Sequence, residues 1–171
     1  MKILPNNKNA GFTLIELLVV ITVIGILAAG AFVALNPAKR FADSRDATRW
    51  TDISAILDAA KVDQVDSAGA YTAAIAAMVA DNYYMIGTDS GANCDNVTPC
   101  DVTIDDDGVN NYCVNISQLA TDGYLAAVPV SPNGTGTWDA AETGYYMVRN
   151  ANGSLTVGAC EGENATIEVK R

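Results

Sequence analysis

Residues 12–35 form one apolar run interrupted by a single charge, Glu16. As a helix, these residues would extend about 36 Å, enough to cross a hydrocarbon core of about 30 Å. A short leader with Lys2, Lys8 and no acid precedes the run and ends at Gly11. Lys2 and Lys8 place the leader in the cytoplasm and everything after the run outside it, although Lys39 and Arg40 flank the far side. Three kinds of segment fit this pattern. A secretory signal peptide could be cut near Ala29-Gly30-Ala31, but the charge in its core and the helical continuation beyond it speak against that. A plain membrane anchor explains the length but neither Glu16 nor the abrupt Gly11-Phe12 boundary. A leader cut between Gly11 and Phe12 explains both. It keeps the apolar run on the mature chain and creates a new amino group four residues before Glu16.

The stretch Gly11-Phe12-Thr13-Leu14-Ile15-Glu16-Leu17-Leu18-Val19-Val20-Ile21 resembles the type IV prepilin family, which includes the pseudopilins of type II secretion. The resemblance implies a class III leader, residues 1–11, removed after Gly11 by a membrane aspartyl peptidase that also methylates the Phe12 amine. It implies that Glu16 pairs with the Phe12 amine of a neighbouring subunit in a filament. The physical cost agrees, because a carboxylate at membrane depth costs about 2.5–3.5 kcal/mol on insertion scales and finds an opposite charge.

The helical pattern continues past the membrane length. Ala47, Trp50, Ile53, Ile56, Leu57 and Ala60 recur at spacings of three and four, and charges interleave on the other face. Lys39–Asp43, Arg40–Asp43, Asp46–Arg49 and Asp58–Lys61 have ion-pair spacing. The pattern predicts one helix over 13–66, ended by Ser67-Ala68-Gly69. Gly25 and Gly30 weaken it, and Asn36-Pro37 removes a backbone donor and should kink it. The resembled pilins are often loosened between a glycine, matched here by Gly25, and a proline eight residues on. That proline is replaced by Val33 here, as in many pseudopilins. The small residues Gly25, Ala28, Ala29, Gly30, Ala31 and Ala34 suit close helix bundling.

Residues 36–69 thus read as an amphipathic continuation, and residues 70–171 as an extracytoplasmic α+β head. Short helices are expected over 70–81 and 116–122, and strands over 83–87, 144–149, 154–159 and 166–170. Asn150-Ala151-Asn152-Gly153 makes a hairpin turn. The expected fold is α+β: a long N-terminal helix, half transmembrane and half packed on a small antiparallel-sheet head. The segment Leu119–Pro132, with Tyr124-Leu125 before Val128-Pro129, and the later Gly144-Tyr145-Tyr146 resemble the heads of pseudopilins and Gram-positive pilins, with Ser131 where Asp is common.

Net charge is −10, and residues 67–171 account for all of it with three bases against thirteen acids. Such a head offers no face to a nucleic-acid backbone. The chain has no His, so a Ser-His-Asp or Cys-His arrangement is excluded, and no phosphate-binding glycine motif occurs. No enzymatic activity is expected. Cys94, Cys100, Cys113 and Cys160 all lie beyond the membrane run, which fits an oxidising compartment and two disulfides. Of three possible pairings, Cys94–Cys100 with Cys113–Cys160 is favoured. The cysteines do not resemble a zinc site. Thr103-x-Asp105-x-Asp107-Gly108 imitates part of a calcium loop, with Val114 in place of the closing acid, so calcium at Asp105 and Asp107 is a minor candidate and no other metal is expected. Asn-x-Ser/Thr sequons occur at Asn96, Asn115, Asn133, Asn152 and Asn164.

The resemblance implies a structural filament subunit, and the long loop and two possible disulfides favour a type IV pilus. The subunit would wait in the cytoplasmic membrane with its head outside, be matured by a prepilin peptidase, meet a pilus assembly platform, and polymerise into an extracellular helical filament. A major pseudopilin of type II secretion and a minor pilin or adhesin are the alternatives.

Overall fold

The computed structural model describes residues 11–88, 94, 100, 102–104 and 113–171. The chain forms two compact units, Met1–Arg40 and Phe41–Arg171.

The first unit is dominated by α1, Leu14–Leu35. It contains no proline, and its polar side chains are two: Glu16 in the first turn, and Thr22, which bonds back to the Val19 carbonyl. None of its residues is buried. An all-round apolar helix with no cover from its own chain must be covered from outside it. The helix runs through Gly25 and Gly30 without interruption and stops at Leu35. Asn36 is the cause. It precedes Pro37, which disfavours the right-handed helical region for it, and it sits instead in the left-handed region at φ 41°. Pro37 then opens α2, Pro37–Asp66, where its missing N–H is one that a first turn leaves unpaired anyway. The long helix expected over 13–66 is present over Leu14–Asp66 and bends, as expected, at Asn36-Pro37, where Pro37 opens a new first turn.

In the second unit, α2 turns one face inward: Asp46, Arg49, Ile53, Ile56, Leu57, Ala59, Ala60 and Asp63 are buried. It ends as the sequence predicts. Gly69 N–H reaches back to the Gln64 carbonyl, with Ala68 and Gly69 at φ 56° and 94°. Then follow α3 (Ala73–Ala77), β1 (Tyr83–Ile86), β2 (Cys113–Val114), α4 (Ser117–Thr121), β3 (Tyr145–Arg149), β4 (Leu155–Ala159) and β5 (Glu168–Lys170). The strands form one five-stranded sheet in the order β2-β1-β3-β4-β5. Three of its four pairs are antiparallel as expected. The fourth, β1–β2, is parallel, so the sheet is mixed. The architecture is α+β and pilin-like.

Strand alternation divides the core. Tyr84, Ile86, Tyr145, Met147, Leu155 and Val157 join Ile53, Ile56, Leu57 and Ala60 of α2 and Leu119 of α4 in one cluster. Met85, Tyr146 and Val148 join Trp138, Ile104, Cys94 and Cys160 in the other. Gly158 faces Tyr146 across the β3–β4 pair, and a Cβ there would lie 2.3 Å from the tyrosine ring. Gly144, at φ 73°, passes so close under Trp138 that a Cβ would lie 2.5 Å from the indole.

All four cysteines are paired, but the favoured pairing is corrected: Cys94 joins Cys113, and Cys100 joins Cys160. Sheet order gives the reason. Cys113 lies on the edge strand β2, while Cys160 follows β4, with β1 and β3 between them. Three strand spacings of about 4.8 Å far exceed the reach of a disulfide.

Candidate assembly site and the charged cluster of the head

Gly11 and Phe12 precede the first helical turn, and Phe12 is 82% exposed. Thr13 is the N-cap of α1, and Glu16 stands at the third helical position. Together they make a reciprocal capping box. The Thr13 N–H and hydroxyl both donate to Glu16 Oε2, at 2.8 and 2.7 Å, and the Glu16 N–H donates to Thr13 Oγ1 at 3.3 Å. The carboxylate is thus held at the helix start by the residue that follows Phe12. Its Oε1 accepts no hydrogen bond among the described residues and stays open to a cation. Sequence reasoning found Glu16 through its cost in an apolar run, but missed Thr13, although Thr-x-x-Glu is a legible capping signature.

The second concentration of charge lies in the head, where the sequence pattern placed it on the solvent face. Arg49 is fully buried. Its Nη1 donates to Asp46 Oδ1 at 2.9 Å and to Glu163 Oε1 at 3.0 Å. Its Nη2 donates to the Pro132 carbonyl at 2.9 Å, and its Nε to Ser131 Oγ at 3.1 Å. Glu161 stands 3.7 Å from Nη2 and accepts from Gly136 N–H and the Trp138 indole. Arg45 grips both oxygens of Glu163. Asp46 accepts in turn from the backbone of Glu163 and Asn164. One guanidinium therefore ties α2 to the Ser131-Pro132 segment and to the loop after β4. The Arg45 contact above all, and Arg49 after it, outweigh partial burial and pull the Glu163 carboxyl down to about 2. Burial pushes Asp46 up, but the bonds from Glu163, Asn164 and Arg49 hold it below the usual carboxylate range. Burial, then the Asp52 carboxylate that its hydroxyl contacts, push Tyr145 far above the usual phenol range.

Of the helical ion pairs expected, Asp46–Arg49 forms, but inside the head. Asp58 pairs with Arg171 instead, and Lys61 bonds Gln64 and Tyr71. Asp105, Asp107 and the sequon at Asn96 lie outside the described residues. Among the described residues, no group of three or more acids or cysteines is placed to hold a metal. The other sequon asparagines are exposed and engaged in local structure. Asn115 and Asn152 close turns onto Ser117 and Ser154, Asn133 accepts from Trp138 N–H, and Asn164 donates to Asp46.

The prokaryotic N-terminal methylation motif matches residues 6–32, which take in the second half of the leader, the capping box and most of α1. The matched motif is that of a class III leader and supports the type IV prepilin and pseudopilin family for this chain. That family is structural and not enzymatic. Its leader implies processing by a prepilin peptidase and assembly into a polymer from a membrane-anchored precursor. No curated protein and no solved structure matches the chain at a significant level.

Proposed function

We propose that the chain is a structural subunit of a type IV pilus filament. Cleavage after Gly11 frees the Phe12 amine, which is then methylated. In the filament that cation meets the open oxygen of a neighbour's Glu16, while Thr13 holds the other oxygen. Pairing between chains sets the stagger of adjacent α1 helices, and repetition of one heterologous contact yields an open helical fibre. The observation that carries this reading is a membrane-length helix, none of it buried by its own chain, opening with a pre-oriented carboxylate beside the cleavage point. Val33 in place of the commoner proline favours the second reading, a major pseudopilin whose fibre stays short.

Mass spectrometry of the mature N-terminus tests the processing step. A methylated Phe12 is the expected result, and a chain beginning at Phe32 would overturn it. Glu16→Ala should be processed normally yet yield no filaments. Normal fibres from that variant would remove the pairing role. Imaging of cells that express the wild type separates the two readings, with long surface fibres expected for a pilus.

A further inference from the structure

We propose that Lys39 and Arg40 clamp anionic phospholipid headgroups at the outer surface of the membrane. The inference takes α1 as membrane-spanning. Eight bases lie among the described residues, and six are already engaged. Arg45 and Arg49 belong to the head cluster, Lys61 bonds Gln64 and Tyr71, and Arg149 bonds the Met78 carbonyl. Lys170 bonds Asn150, and Arg171 pairs with Asp58. Only Lys39 and Arg40 have side chains without an ion pair or hydrogen bond among the described residues, and both are exposed.

Their position matches the vacancy in their bonding. The 22 residues of α1 rise about 33 Å, the thickness of a hydrocarbon core. Lys39 and Arg40 follow Leu35 by four and five residues, about 6–8 Å further on at helical rise, which is the depth of the phosphates. The nearest acid, Asp43, has ion-pair spacing from both, but neither pair forms among the described residues. Lys39 supplies a point charge, and Arg40 a planar fork suited to two phosphate oxygens. Their long stems can lie along apolar surface while the charged heads stay wet. The head beyond them carries a large acid excess and is repelled by an anionic surface. A basic pair at the membrane edge opposes that repulsion and holds the subunit in the bilayer until it is drawn into a polymer.

The test uses the full chain carrying Lys2→Gln and Lys8→Gln, so that leader bases make no contribution. It is reconstituted in bilayers of phosphatidylglycerol mixed with phosphatidylcholine. Competition between spin-labelled forms of the two lipids reads their relative association with the protein. Phosphatidylglycerol should be preferred by about five-fold for each base, and the preference should fall with added salt. Lys39→Gln/Arg40→Gln should abolish the preference while the protein still inserts, as read by protease protection. A preference unchanged in that double variant would overturn the clamp. So would equal association of both lipids with the unsubstituted neck, even if the double variant lost filaments, because the two bases would then face a neighbouring head. Failure of every variant to insert would overturn the spanning reading itself, which lipid selectivity alone does not test.

Discussion

At the scale of single residues, the molecule places its two costliest charges where each is held by hydrogen bonds. Glu16 has Thr13, and Arg49 has Asp46, Glu163, Ser131 and the Pro132 carbonyl. A buried ion cluster contributes little net stability over a well-packed apolar substitute, but removing one member leaves the others buried and unpaired. Arg49→Met should therefore cost about 3–5 kcal/mol, measured by chemical denaturation. Arg49→Lys recovers only part of this loss, because one ammonium cannot serve four directions. The cluster also sets the acid limit of the head. Glu163 and Asp46 have folded-state values below their unfolded ones, so they bind fewer protons when folded. Their stabilisation is complete above the unfolded value of 4.5 for Glu163 and drains away as pH falls towards about 2. Melting temperature should fall steeply across that window in the wild type and more gently in Glu163→Gln. Identical acid slopes in the two proteins would disprove the assignment.

At the scale of elements, what was legible was what is local. The end of α2 at Ser67-Ala68-Gly69, the β3–β4 turn and the two short helices follow from turn chemistry and periodicity within a few residues. The bend at Asn36 also follows from its neighbour Pro37, which restricts Asn36 and lacks the N–H that a first turn leaves unpaired. β2 was not legible, because two residues carry no period and exist as a strand only by lying parallel to β1. The burial of Arg49 was illegible for the same reason. Its spacing from Asp46 fits a solvated helix face equally well, and the partners that bury it lie 82 to 114 residues away. The disulfide pairing likewise depends on sheet order, which sequence spacing does not encode. Gly158 shows this non-local demand most sharply, since its missing Cβ makes room for a ring on β3. Gly158→Ala should destabilise the head by about 1–3 kcal/mol through overpacking. Adding Tyr146→Leu should recover part of that loss, giving a double-mutant coupling of clear sign. Additive losses would show that the ring and the glycine are not in conflict.

At the scale of the whole molecule, the two units have different sources of stability. No residue of α1 is buried within the chain, so an apolar helix of this kind needs cover from a bilayer or from other copies. The head carries its own two-faced core and two disulfides that bind the long segment between β1 and β2 to the sheet. Chain entropy ranks those disulfides. Cys100–Cys160 closes a separation of 60 residues and Cys94–Cys113 one of 19. The loop-length relation then gives about 4 kcal/mol for the first and about 3 kcal/mol for the second. Geometry widens the gap, because Cys160 immediately precedes Glu161, which holds Trp138 and stands beside Arg49. Freeing Cys160 therefore loosens the loop that the ion cluster depends on, whereas freeing Cys113 loosens only an edge strand. Cys100→Ser/Cys160→Ser should lower the denaturation midpoint of the full chain in detergent more than Cys94→Ser/Cys113→Ser does. The fluorescence of the buried Trp138 would report the difference. In the first variant Glu163→Gln should then have little further effect, because the acid-sensitive loop has already been released. A larger loss from the Cys94–Cys113 variant would place the head's main constraint at the edge strand and not at the loop after β4.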